Sequence, residues 1–214
     1  MNYKLQDGIP QEWSHGANIS DNSYYCWNEM FSPSQCDEII RIAEDEFPLI
    51  RGTIMSENEE LGKQSGFNAQ VDDVLRDSQV RWMGPTDSTH WIYQWIWDSV
   101  VITNQNGWEF DIRGMGEALQ YTVYDSNVGD AHYNWHRDIG GNQNHRKVSL
   151  TIQLSDESEY EGGHFEMEDI GKFEMFRGKG DAIMFPSFYR HKIHPITYGV
   201  RKSLVVWITG PKIK

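Results

Sequence analysis

Lys147-Val148-Ser149-Leu150-Thr151-Ile152-Gln153-Leu154 is the most regular segment of the chain. Apolar residues take the even positions and polar residues the odd ones, the period of a strand with one face packed. Further along, Glu161-Gly162-Gly163 marks a turn, after which Phe165 and Met167 alternate with His164, Glu166 and Glu168. Gly178-Lys179-Gly180-Asp181 marks another turn, before Ala182-Ile183-Met184-Phe185, and Arg201 to Ile208 reads as the last strand. Short strands at this spacing from Trp108 onward predict a closed or sandwiched antiparallel sheet.

Upstream of about residue 106 the period becomes helical. Ser32-Pro33-Ser34-Gln35 is a helix start: a hydroxyl cap, a proline where no N–H is missed, and a glutamine that reaches back. Ile39, Ile40, Ile42, Ala43 and Phe47 follow as an apolar stripe, with Asp37, Glu38, Arg41 and Glu44 facing water. A second helix is expected after Asp87 or Ser88, burying Trp91, Ile92, Trp95, Ile96, Val100 and Val101. These helices should pack on one outer face of the sheet. Residues 56–73 are polar and contain glycine, and read as a lid-like loop.

Composition narrows the function. The 214 residues carry 19 Lys and Arg against 32 Asp and Glu, a net charge of −13. That argues against nucleic acid and anionic membrane as partners, both of which call for a basic surface. No apolar run approaches a membrane span, and the first residues contain no signal-peptide stretch, so a cytoplasmic location is expected. Cys26 and Cys36 are too few for a disulfide framework and read as reduced thiols.

Chemistry concentrates in Tyr133-Asn134-Trp135-His136-Arg137-Asp138. On an extended strand, His136 and Asp138 share a face. A further histidine from a neighbouring strand would complete a 2-His-1-carboxylate set, which leaves open positions on a bound iron. The stretch Phe185 to Arg201 supplies candidates in His191 and His194. Arg201 opens an apolar strand, a costly place for a charge without a partner, and its planar fork suits a carboxylate.

Taken together, these segments resemble the 2-oxoglutarate- and Fe(II)-dependent dioxygenases, in the prolyl 4-hydroxylase-like branch that includes the PKHD-type hydroxylases. The matching pieces are His136-x-Asp138, Gln153-Leu154-Ser155-Asp156 with Tyr160-Glu161-Gly162-Gly163, Phe185-Pro186-Ser187 leading to His191, and Arg201 leading to Leu204-Val205-Val206-Trp207. They span about residues 116–210. The resemblance implies a mainly β fold with α: a double-stranded β-helix (jelly roll) buttressed by N-terminal helices. It implies one catalytic domain over 1–214, with a helical buttress and lid-like loop in 1–105 and the jelly-roll core in 106–214.

The resemblance also assigns His136, Asp138 and His191 to iron. His191 is preferred to His194 because it precedes Arg201 by the family's ten residues. Arg201 then binds 2-oxoglutarate, aided by Gln153 and by Tyr124, with Tyr121 and Tyr133 as alternatives. His132 and His145 read as loop or supporting residues, and Ser149, Thr151 and Gln153 face the site. The implied cofactors are Fe(II), 2-oxoglutarate and O2, with ascorbate supportive. The implied reaction hydroxylates an unactivated C–H, releasing succinate and CO2. A peptidyl proline or another peptide or protein residue is the leading substrate, with a small molecule as the alternative. A non-catalytic jelly-roll metal-binding module is a further alternative, against which the intact set of four residues argues. A zinc hydrolase or a dioxygenase lacking the cosubstrate would have no use for Arg201. Trp135, Trp207, Arg76 and loop 56–73 are candidates to line a substrate groove.

Overall fold

The computed structural model describes residues 23–212 apart from 53, 56–68, 71–73 and 141–142. The chain begins with β1 (Tyr25–Trp27), α1 (Pro33–Glu46), β2 (Ile50–Arg51), β3 (Ile54–Met55), β4 (Ala69–Gln70), β5 (Gln79–Met83) and α2 (His90–Asn106). Strands follow: β6 (Gly114–Met115), β7 (Leu119–Asp125), β8 (Tyr133–His136), β9 (Arg146–Gln153), β10 (Tyr160–Gly162), β11 (Phe165–Met167), β12 (Gly171–Lys172), β13 (Ala182–Pro186), β14 (His191–Ile193) and β15 (Ile196–Thr209).

The described strands form a large antiparallel sheet in the order β1-β13-β9-β15-β7-β5-β2, with β10 and β6 also paired to β15. A smaller sheet runs β12-β11-β14-β8, and β3 pairs with β4. This mainly β, two-sheet architecture is consistent with a jelly roll. The last strand is longer than the apolar run at Arg201–Ile208 indicates. Its first residues continue the ladder against β10, where Tyr160 faces Gly199.

The Ser32 cap forms with both of its bonds, Gln35 N–H to Ser32 Oγ and Ser32 N–H to Gln35 Oε1. The second helix starts at His90, slightly later than Ser88 indicates, because residues 87–89 are held in a turn around the Thr89 hydroxyl, which donates to Gly84 O. Cys36, Ile39, Ile42 and Ala43 of α1 share one buried apolar cluster with Ile92, Ile96 and Val100 of α2. The same cluster includes Val148, Leu150, Ile152 and Leu154, as well as Leu204, Val206 and Ile208 from β15. Both cysteines are buried free thiols, and burial pushes Cys36 up to about 12.

The first half of the chain is not wholly helical: β1, β2 and β5 join the large sheet. Tyr25-Cys26-Trp27 and Ile50-Arg51 are too short to show a period. The lid-like loop expected at 56–73 lies outside the described residues, except that Ala69–Gln70 pairs with Ile54–Met55. No described helix is long and apolar enough to cross a membrane.

Candidate metal centre and cosubstrate cleft

Antiparallel pairing decides which side chains meet. Directly opposed residues project from the same face, and β9, β15 and β7 are opposed at Ser149↔Trp207, Thr151↔Val205, Gln153↔Ser203 and Arg201↔Tyr124. One face of the large sheet therefore carries Ser149, Thr151, Gln153, Tyr124 and Arg201. The other face is the apolar cluster under the helices. The smaller sheet places His191 directly opposite His136, so both imidazoles project together.

Asp138 reaches the same point by a different route. Strand β8 ends at His136, and the strand rule alone does not place Asp138. Its N–H donates to Ser187 O (3.2 Å), and its carbonyl accepts from Arg146 Nη1 (3.1 Å). The carboxylate thus faces both histidines. Asp138 Oδ1 lies 3.7 Å from His136 Nε2, and Oδ2 lies 3.6 Å from His191 Nε2. These separations are longer than hydrogen bonds. Ligand atoms of the three residues all lie within 4.8 Å of one another.

The tautomers are set from behind. His136 Nδ1 is 2.8 Å from Asn134 O, and His191 Nδ1 is 3.0 Å from Tyr189 O. A carbonyl only accepts, so each Nδ1 carries a proton and each Nε2 is turned to the centre, the atom that would coordinate a metal. Tyr133 stacks on His136 with ring centroids 3.5 Å apart, and Phe185 abuts His191 edge-on at 4.7 Å. Burial in these rings, with His191 alongside, pushes His136 down to about 3. For Asp138, burial pulls upward, but the two histidines, Arg146 and the Ser149 hydroxyl outweigh it and hold the group ionised. Ser149 Oγ donates to Asp138 Oδ2 at 2.6 Å. Two imidazoles and a carboxylate, each fixed by an outer partner, fit a divalent ion such as Fe(II).

Beside this centre a cleft is lined by Arg201, Gln153, Thr151, Phe165 and residues of the β12–β13 loop. Phe165 also packs on His191, with centroids 5.5 Å apart, so cleft and centre adjoin. Arg201 is 4% exposed. Its guanidinium is 3.5 Å from Ser203 Oγ and lies over the Tyr124 ring, and among the described residues it pairs with no carboxylate. The Gln153 side-chain amide nitrogen is buried without an acceptor among the described residues.

Of the tyrosines weighed beside Arg201, Tyr124 is its neighbour in the ladder and Tyr133 lies at His136. Tyr121 points the other way, into the apolar cluster, and donates to Glu44 (2.8 Å). His194 is turned away from the centre and binds Glu166 at 2.5 Å. His132 contacts Val74 O, and His145 lies near Glu117. Trp135 lies on the outer face against Lys192 and Arg190. Arg76 lies over the Tyr133 ring.

The sequence reading passed over Arg146. Its even number puts it on the apolar face, but a bulge after the Ile208↔Val148 pair shifts it opposite Thr209. Glu117 grips it through both oxygens at 2.6 and 2.5 Å, and it lies 3.8 Å over Trp207. The indole N–H of Trp207 is buried without an acceptor among the described residues. A charged residue opening an otherwise regular strand is the only signal that could have drawn attention to it.

Comparison with known proteins agrees with this geometry. Residues 119–209, covering β7 to β15, match the 2OG-Fe(II) oxygenase superfamily. A PKHD-type hydroxylase of Idiomarina loihiensis is 39% identical over 62 residues, 28% of each chain. The PKHD-type hydroxylase YbiX of Shigella dysenteriae is 24% identical over 158 residues, 70% of each chain. The aligned segment thus spans little more than a quarter of the first relative's length. A prolyl hydroxylase from Trichoplax adhaerens, solved with a hypoxia inducible factor peptide fragment, superposes with a TM-score of 0.68 at 15% identity, covering 89% of this chain and 85% of its own. The matched segment contains His136, Asp138, His191 and Arg201, so over these residues the chain is similar to the 2OG-Fe(II) oxygenase superfamily and to PKHD-type hydroxylases.

Proposed function

We propose that this protein is an Fe(II)- and 2-oxoglutarate-dependent hydroxylase acting on a residue of a peptide or protein, with proline as the first candidate. The observation that carries the reading is the convergence of His136, Asp138 and His191 next to a cleft holding a buried arginine that pairs with no carboxylate among the described residues. In this reading the two Nε2 atoms and the Asp138 carboxylate hold the iron. When bound, Fe(II) supplies the redox chemistry that couples O2 and 2-oxoglutarate to C–H hydroxylation, with succinate and CO2 as co-products. Arg201 receives the distal carboxylate of 2-oxoglutarate through its planar fork. Gln153 and Thr151 offer further polar contacts from the same face. Tyr133, Phe165 and Phe185 keep water from the imidazoles.

The substrate side is the wall of Trp207, Arg146 and Trp82. Trp82 is 37% exposed and lies 6.0 Å from Trp207. The exposed flat ring of Trp82 suits a pyrrolidine ring. The peptide bound by the Trichoplax protein of the same fold supports this substrate class. Residues 1–214 act as one catalytic unit, with α1 and α2 buttressing the large sheet.

The test is succinate formation from 2-oxoglutarate by the full chain with Fe(II) and ascorbate, followed by a peptide array read by mass spectrometry for a gain of one oxygen. Turnover that depends on Asp138 and on a peptide supports the proposal. Failure of the iron-loaded protein to bind or consume 2-oxoglutarate would overturn it.

A further inference from the structure

The cleft in front of Arg201 has a second cation on its wall. Arg177, from the loop between β12 and β13, lines it together with Phe176, Gln153 and Asp181. Consecutive residues of an extended chain face opposite ways. Here the backbone turns through φ 60° at Phe176, a conformation bulky side chains rarely adopt, and Phe176 and Arg177 both line the cleft.

Among the described residues Arg177 forms no ion pair with an acid. Its Nη1 donates to His164 Nε2 (2.7 Å), and its guanidinium lies over the Tyr160 ring. The His164 nitrogen must be a lone pair to accept, so that histidine brings no negative charge. Glu174 lies 3.1 Å from the same nitrogen, but it is 64% exposed and tied to Lys172 (3.0 Å). Asp181 is the carboxylate on the cleft wall, and its oxygens already accept from Glu29 N (3.1 Å) and Gly178 N (2.9 Å). Two guanidiniums and the unpaired Gln153 amide therefore meet one committed carboxylate, an excess of donors and of positive charge that an anionic ligand would satisfy.

We propose that Arg177 is a second anion-recognising residue of this cleft, and that with Arg201 it sets the preference for a dicarboxylate over a monocarboxylate. The inference rests on the cosubstrate assignment above and adds a specificity-determining residue to it. Arg201 anchors the ligand's far end from the sheet, while Arg177 approaches from the loop.

Calorimetric titration of 2-oxoglutarate into the anaerobic Fe(II)-loaded full chain tests this without turnover, with 2-oxobutyrate as the monocarboxylate probe. Arg177→Gln should weaken 2-oxoglutarate roughly tenfold, the scale of one charge-assisted contact, and leave 2-oxobutyrate within about twofold. Arg177→Lys keeps the charge and should recover most of the loss. Equal affinity of the wild type and Arg177→Gln for 2-oxoglutarate, or a lysine variant as weak as the glutamine one, overturns the proposal. Arg201→Gln separates the two readings. If it loses 2-oxoglutarate while Arg177→Gln does not, only the Arg177 role fails; if it binds normally, the cosubstrate assignment itself fails.

Discussion

Removing the Ser149 hydroxyl isolates the part of the centre that lies behind the three proposed ligands. Ser149 is 1% exposed, and its hydroxyl donates to Asp138 Oδ2 at 2.6 Å. A buried hydrogen bond to a charged group contributes about 1.5–3 kcal/mol. Converted at 1.4 kcal/mol per decade, that is about 10–100-fold in metal affinity, the same range that loss of a ligand's outer partner typically costs. Ser149→Ala removes one oxygen, and Asp138 keeps its backbone bonds to Ser187 and Arg146. The expected result is a 10–100-fold weaker apparent affinity for Fe(II) or Mn(II), measured by anaerobic calorimetry. Metal-free thermal melts of both proteins would account for any change in folding. An affinity within about threefold of wild type would mean that the backbone bonds alone orient Asp138, and the role given to Ser149 would be wrong.

Asp138→Ala should abolish succinate formation, whereas Arg201→Ala should chiefly raise the 2-oxoglutarate concentration needed for half-maximal turnover; a steady-state titration distinguishes them. His136 has a folded-state pKa depressed from 6.5 to about 3, so only the unfolded chain takes up its proton between those values. Stability of the metal-free protein should therefore fall as pH drops below 6.5, by up to about 1.4 kcal/mol per unit from this group. Urea midpoints should show that slope and a shallower one in His136→Gln; equal slopes would refute it. Gly163 sits at φ 63°, and a Cβ there would run into Ile196 and lie 3.0 Å from Arg201 Cδ. Gly163→Ala should lower Tm and weaken 2-oxoglutarate binding together, and Ile196→Ala added to it should recover Tm more than binding. Leu150→Ala in the apolar cluster should cost about 2–5 kcal/mol, seen as a lower denaturant midpoint.

Much of this was legible in the chain because two periodicities carry it. Alternation at 147–154 set both faces of β9, and the Ser32–Gln35 cap set the start of α1. His191 could be chosen over His194 because of the family's ten-residue spacing to Arg201, and it stands opposite His136 in the ladder. What escaped was irregular. Asp138 lies past the end of its strand and is placed by loop hydrogen bonds. Arg146 is re-aimed by a bulge, which strict alternation misassigns. Choosing among Tyr121, Tyr124 and Tyr133 required the register of β7 against β15, a long-range pairing that no local pattern encodes. Strands as short as β1 and β2 hold too few residues to declare a period.

The two-sided character of β9 divides its sequence into two ledgers. Under the proposed function, odd positions answer to the reaction and even positions to folding, so mutational tolerance along this strand should itself oscillate with a period of two. Losses at Ser149 or Gln153 would leave a folded but impaired protein, whereas losses at Leu150 or Ile152 would reduce the amount of protein. Inserting one residue would exchange the two roles throughout the strand, turning its hydroxyls and amide into the oily layer and its aliphatic side chains into the reaction chamber.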